Sequence, residues 1–181
     1  MAKCKVCKSD YSKYNTTQIV CGWKCALEWN KIKAEKEYKK ETARMRKEFK
    51  DNDKPHQMKL TETACNAYIR ARDKGQPCIS CGTVNPNILY SAGHYKTVGS
   101  SISLRYNPAN IHLQCLKNCN KERSGNIAEY RPRLIEKIGL RHVEWLESEE
   151  AQAAQNWTIE DLKEIREWFK QQTRLLQSAD S

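Results

Sequence analysis

Residues 26–50 contain no Gly or Pro and consist mostly of Ala, Glu, Lys, Arg and other good helix formers, so the pattern predicts one long helix. Its apolar positions, Leu27, Ile32, Tyr38, Met45 and Phe49, make only a thin stripe, which leaves the helix wet unless it pairs with another chain or lies along nucleic acid. Residues 51–59 break the pattern at Pro55 and read as a linker. Leu60, Ala64, Ala67, Tyr68 and Ala71 then fall on one helical face, with Thr61 or Thr63 able to cap the start and Gly75 and Pro77 to end it. Alternation through Ile88–Tyr90 and again through Ile102–Tyr106 predicts two short strands, joined through residues 98–101. A helix is expected beyond Cys119, interrupted at Ser124–Gly125 and resumed near Ile127. Thr158 and Asp161 form a capping box ahead of a last amphipathic helix carrying Leu162, Ile165, Trp168, Phe169 and Leu176, a stripe suited to core or to a dimer surface.

Composition narrows what this framework serves. With 39% hydrophobic residues, 30% charged residues and a mean hydropathy of -0.86, no stretch approaches the roughly 18 apolar residues of a membrane span. The first residues place charges where a secretory signal needs an apolar run, so a cytoplasmic protein is expected. The net charge of +10 is unevenly spread: residues 1–145 carry 28 Lys and Arg against 14 Asp and Glu, and residues 146–181 carry 4 against 8. A basic body with an acidic tail suits a polyanionic partner whose footprint excludes the last helix.

Eight of the nine cysteines fall into two sets: Cys4, Cys7, Cys21 and Cys25, then Cys78, Cys81, Cys115 and Cys119. In a reducing compartment such pairs are thiolate ligands rather than disulfides, and each set has the treble-clef sense of a knuckle leading into the start of a helix. Two structural Zn²⁺ ions are therefore expected, closed to catalysis, while Cys65 reads as a small buried apolar residue. The expected organisation is an N-terminal Cys4 finger over 1–30, the charged helix and linker over 31–59, a zinc-stabilised domain over 60–145 and an acidic amphipathic helix over 146–181.

Within the third segment stand Gly93-His94-Tyr95, Asn110-Ile-His112-Leu-Gln-Cys115 and Cys119-Asn120-Lys121-Glu122-Arg123-Ser-Gly-Asn126. Four cysteines interleaved with His94, Asn110 and Asn120 over roughly 50 residues resemble the HNH, or ββα-metal, nucleases. The fold class expected is therefore α+β, predominantly helical, with a small ββα-metal core of treble-clef type. Phosphodiester hydrolysis needs water activated near neutral pH and a cation against the charge that builds on phosphorus and the leaving oxygen. Neutral His94 suits the first task, and an Asn120 carbonyl with phosphate oxygens suits a hard Mg²⁺ or Mn²⁺. Asn110 would bond backbone across the hairpin and hold His94. Lys96, Arg105, Lys121 and Arg123 are near enough in sequence to meet neighbouring phosphates. His112 could add a ligand, orient a phosphate, replace a zinc thiolate or be an ordinary hydrogen-bonded histidine. Most HNH nucleases carry Asp directly before the catalytic His, and this chain has Gly93 there.

The opening Met-Ala-Lys-Cys-Lys-Val-Cys, the run Tyr68-Ile-Arg-Ala-Arg-Asp73 before Cys78-Ile-Ser-Cys-Gly82, and Gly93-His-Tyr-Lys-Thr-Val-Gly-Ser100 leading to Asn110 resemble the bacteriophage lambda NinG (Rap) family over the whole length. That resemblance implies a homodimeric phage recombination endonuclease acting on branched DNA, Holliday junctions and D-loops. A two-fold dimer suits symmetric cutting of a four-way junction, with the helix over 26–50 or the C-terminal helix as contact. The rival expectation is a non-catalytic zinc module that binds structured DNA or RNA and recruits other proteins, which the absence of Asp at position 93 favours.

Overall fold

The structure is a computed structural model and describes residues 1–179. The chain divides into two compact units, Met1–Asn52 and the remainder from Asp53 onward. About half of the residues are helical and the sheets are two small antiparallel hairpins, a mixed α and β architecture.

In the first unit β1 (Ala2–Lys3) pairs with β2 (Asp10–Tyr11), and α1 (Trp23–Asp51) comes next. The turn between the strands closes through Lys8 N–H on the Cys4 carbonyl at 3.1 Å, with Lys8 in the left-handed region at φ 64°. Cys25 sits in the first turn of α1, so the tetrad is assembled from one knuckle and one helix start. α1 itself has no buried residue, as its thin apolar stripe requires.

The second unit starts where a linker was expected. Asp53 caps α2 (Lys54–Arg72) by accepting from His56 N–H at 3.2 Å, and Pro55 lies in the first turn. There the missing N–H costs nothing and the fixed φ favours the helix, so this proline opens an element instead of breaking one. The strands also differ from the expectation. β3 (Tyr90–His94) pairs with β4 (Ile111–Cys115), with Tyr90 opposite Cys115, Gly93 opposite His112 and His94 opposite Ile111. Residues 102–106 form consecutive turns, with Leu104 N–H on Ser101 and Arg105 N–H on Ile102. Their alternation serves to drop Leu104 and Tyr106 into two separate clusters, a need that resembles strand periodicity.

β4 is buried along its whole length, and a short π-helical turn (Leu116–Lys121) leads from it towards α3 (Ile127–Ile138) and α4 (Leu140–Glu147). One cluster joins Leu104, Tyr130, Leu134, Val143 and Leu146 beneath α3 and α4. The other joins α2 to α5 (Ile159–Ala179) through Cys65, Ile69, Leu162 and Phe169. The capping box forms reciprocally, Asp161 N–H on Thr158 Oγ1 at 3.1 Å and Thr158 N–H on Asp161 Oδ2 at 2.8 Å. Leu162 and Phe169 of the α5 stripe are thus core within one chain, while Trp168 stays 45% exposed. Burial pushes the Cys65 thiol up to about 12, in keeping with an inert apolar role. Among the described residues no helix is long and apolar enough to cross a membrane.

Candidate functional site

The four sulfurs of Cys4, Cys7, Cys21 and Cys25 lie within 4.8 Å of one another, and so do those of Cys78, Cys81, Cys115 and Cys119. Cys7–Cys21, Cys21–Cys25 and Cys81–Cys115 are 3.5, 3.6 and 3.6 Å apart. A tetrahedral zinc with ligands at about 2.3 Å requires sulfur edges of about 3.8 Å, so both tetrads could bind metal ions such as zinc. Backbone amides already point at two of the sulfurs, Cys21 N–H at Cys4 (3.4 Å) and Cys115 N–H at Cys78 (3.3 Å). None of the nine cysteines forms a disulfide.

The second tetrad ties the knuckle at Cys78–Cys81 to the end of β4 and the turn after it. That fixes the far end of the hairpin that carries His94. His94 is half-buried at the tip of β3, and its Nε2 lies 3.0 Å from the Arg105 carbonyl. A carbonyl only accepts, so Nε2 carries the proton and Nδ1 is left with the lone pair. Burial lowers the His94 pKa against the raising effect of that carbonyl and of Glu62, which favours the neutral ring.

Asn110 is fully buried and clamps the loop around His94. Its Oδ1 accepts from Lys96 N–H at 2.8 Å, and its Nδ2 donates to the Lys96 carbonyl at 3.0 Å and the Leu104 carbonyl at 3.2 Å. Its own carbonyl accepts from Tyr95 N–H at 2.8 Å. Four bonds therefore lock the residues on both sides of the His94–Arg105 contact. Asn120 is half-buried on the π-helical turn, and its Nδ2 donates to Ser91 Oγ at 2.8 Å. Its Oδ1 remains the atom able to meet a cation.

The remaining expected residues separate. Arg105 is held by Glu62 at 2.7 Å, part-buried, so a phosphate would compete with a carboxylate for it. Lys96 lies over the Tyr95 ring at 5.5 Å, while Lys121 and Arg123 are exposed on the turn after Cys119. His112 is 1% exposed, with Nδ1 3.3 Å from Tyr130 Oη, which in turn donates to the Gly93 carbonyl. Burial, with the charges of Arg72 and Lys137, lowers its pKa to about 3. His112 is a neutral core histidine of the hairpin and has no route to a phosphate.

Gly93 has a steric cause. A Cβ there would come within 2.2 Å of Gln114 Oε1, and Gln114 is fully buried, its Nε2 donating to Ser80 Oγ and the Gly125 carbonyl. No carboxylate can stand before His94 in this packing. Asn120 alone fits a hard cation only if substrate oxygens and waters complete the shell.

Two supports have no signal in the sequence. Arg72 and Lys137 pair with the buried Asp73, whose Oδ2 accepts Leu113 N–H at 3.0 Å, and Arg72 donates to the Pro108 and Ile111 carbonyls. Burial opposes ionisation of Asp73, but the two cations outweigh it and the pKa is lowered. Adjacent Arg-Asp looks like a solvated surface pair in a sequence. Gln114 is equally silent, because nothing in Ile-His-Leu-Gln-Cys marks both polar residues as buried.

The profile of the family described as "Bacteriophage Lambda NinG protein" matches residues 1–179. The protein NinG of Escherichia phage lambda is 41% identical over 124 residues, which cover 68% of this chain and 59% of that protein. NinG of Escherichia phage 933W is 35% identical over 196 aligned positions, 99% of this chain and 95% of its own length. NinG of Enterobacteria phage H19B is 36% identical over 91% of this chain and 88% of its own length. No solved structure matches. A profile and relatives that span both cysteine tetrads, the His94 hairpin and α5 show that the chain belongs to the bacteriophage lambda NinG family.

Proposed function

We propose that this chain is a metal-assisted endonuclease of the HNH type that cuts branched DNA during phage recombination. The observation that carries the reading is the tautomer lock on His94: Nε2–H is committed to the Arg105 carbonyl and the surrounding backbone is clamped by Asn110. A histidine held this way, neutral and with its lone pair on Nδ1, is arranged to take a proton from water as the water oxygen attacks phosphorus. The phosphorus–O3′ bond then breaks, and the leaving oxygen takes its proton from solvent. A Mg²⁺ or Mn²⁺ ion held by Asn120 Oδ1 and phosphate oxygens would supply the charge stabilisation at that oxygen. Lys121 and Arg123, exposed beside Asn120, would hold flanking phosphates, and Arg105 would join them once it exchanges Glu62 for a phosphate.

The sealed position before His94 supports a second reading, a zinc-dependent DNA- or RNA-binding module without catalysis. The deciding experiment incubates a labelled four-way junction with purified protein and Mg²⁺ or Mn²⁺. Cutting that falls by about 10²-fold or more in His94→Ala and Asn120→Ala, with junction binding kept, is the expected result. Wild-type protein that binds and never cuts, or a His94→Ala variant that cuts equally well, assigns the chain to the binding reading. Competition by linear duplex measures branch preference.

A further inference from the structure

α1 is the one long element that its own unit leaves unused. Its 29 residues extend about 43 Å at 1.5 Å each, and none is buried. Trp29 and Ile32 are half-buried, and Lys5 Nζ of the cysteine knuckle lies 5.4 Å from the Trp29 ring. Leu27, Tyr38, Met45 and Phe49 remain 56, 72, 54 and 75% exposed.

The exposed side carries a heptad seam with an unusual charge order. Lys24, Lys31, Tyr38 and Met45 recur every seven residues, and Leu27, Ala34, Glu41 and Glu48 recur in the same period three residues later. Counted in heptads these take the a and d positions of a two-stranded coil, four of them apolar and four charged, and charged residues at such positions specify register at a cost in stability. In an antiparallel pair each a position meets a d position of the other helix. One register makes every such layer complementary: Lys24 meets Glu48, Lys31 meets Glu41, Tyr38 meets Ala34 and Met45 meets Leu27. A large ring opposite Ala34 also balances volume across its layer. Parallel pairing would stack lysine on lysine and glutamate on glutamate, which is strongly unfavourable in a seam. A phosphate backbone fits no better, because Glu41 and Glu48 lie on the same line as the apolar residues.

We infer that α1 is a self-association helix, along which two copies of this chain pair antiparallel with Lys31 of each copy against Glu41 of the other. Glu41 is now paired with Arg44 at 2.8 Å, but that contact is exposed and one turn apart, so it exchanges at little cost. The inference goes beyond the proposed nuclease activity and stands without it. A two-fold pair would give that activity two His94 hairpins for a symmetric substrate.

Sedimentation velocity on the full-length, metal-loaded chain tests it, with Lys31→Glu, Glu41→Lys and the double variant beside wild type. All substituted positions are exposed, so circular dichroism and metal content should match wild type. Wild type is expected to dimerise. Each single reversal places two repelling layers in the pair and should weaken association by at least about tenfold. The double variant should recover association to within about threefold, and an equimolar mixture of the two single variants should form a heterodimer although each alone is monomeric. A wild-type monomer at every concentration, a dimer indifferent to the reversals, or a mixture that does not associate overturns the inference. Reversals that change duplex retention but not mass also overturn it, and assign the face to nucleic acid. The nuclease reading fails separately: a monomer that cuts junctions removes only this pairing, and a responsive dimer that cuts nothing removes only the catalysis.

Discussion

Gly93 and Gln114 act as one unit at the residue scale, since the glutamine amide occupies the volume that any side chain at 93 would need. Gln114 cannot swing away without abandoning its donations to Ser80 and Gly125 inside the core. Gly93→Ala should therefore destabilise the second unit by about 1–3 kcal/mol, the usual range for overpacking, seen as a lower urea midpoint. Gln114→Ala in the same chain should relieve part of that loss, because it removes the Oε1 and Cδ contacts and keeps only the Gln114 Cβ at 2.9 Å from the added methyl, and a loss left wholly unrelieved would mean the strain lies elsewhere. His112 gives a pH prediction. Its folded pKa is about 3 and an unfolded histidine titrates near 6.5, so the unfolded state binds the extra proton between these values. The stability attributable to neutral His112 is complete above about pH 6.5 and declines as pH falls, by up to about 1.4 kcal/mol per pH unit. His112→Gln should flatten the fall measured between pH 6.5 and 5.5; an unchanged slope would show that the imidazole is solvated.

Elements show where periodicity is a reliable guide and where it misleads. α5 is legible because its capping box and apolar stripe are both local patterns, and Phe169 is buried against Tyr68 of α2 with ring centroids 5.5 Å apart. Phe169→Ala should cost about 3–5 kcal/mol in a thermal or urea melt. A loss below about 1 kcal/mol would mean that α5 does not pack there. The hairpin is less legible. Residues 102–106 alternate like a strand yet turn, while the strand at Ile111–Cys115 hides two polar side chains inside. Alternation reports which residues go inside, and it cannot tell a pleat from a chain that turns between two clusters. Pro55 misleads for a related reason: the same ring that breaks a helix interior favours its first turn, and the difference lies in the capping Asp53.

At the scale of the whole molecule, two compact units each hold one cysteine tetrad. The expected metal content is two zinc ions per chain, and Cys7→Ala should remove one of them while leaving the melting of the second unit unchanged. Mass spectrometry under native conditions and a urea melt monitored by tryptophan emission check this, and loss of both ions from the single variant would contradict independent units. Amino-acid order alone dictates the tetrads, the long charged helix and the capped last helix, and it marks Asn110 as the residue that holds the loop around His94. All of these are spacing or composition, and spacing is enough where ligand chemistry or helical period leaves the chain one local solution. Folding in three dimensions was needed to put His112 in the core and Arg105 against Glu62. It was also needed to close the position before His94 with Gln114, and to bury Leu162 and Phe169 of α5 against α2. Each of these depends on which distant side chain fills a given volume or accepts a given proton, and that is set by packing between segments far apart in the chain.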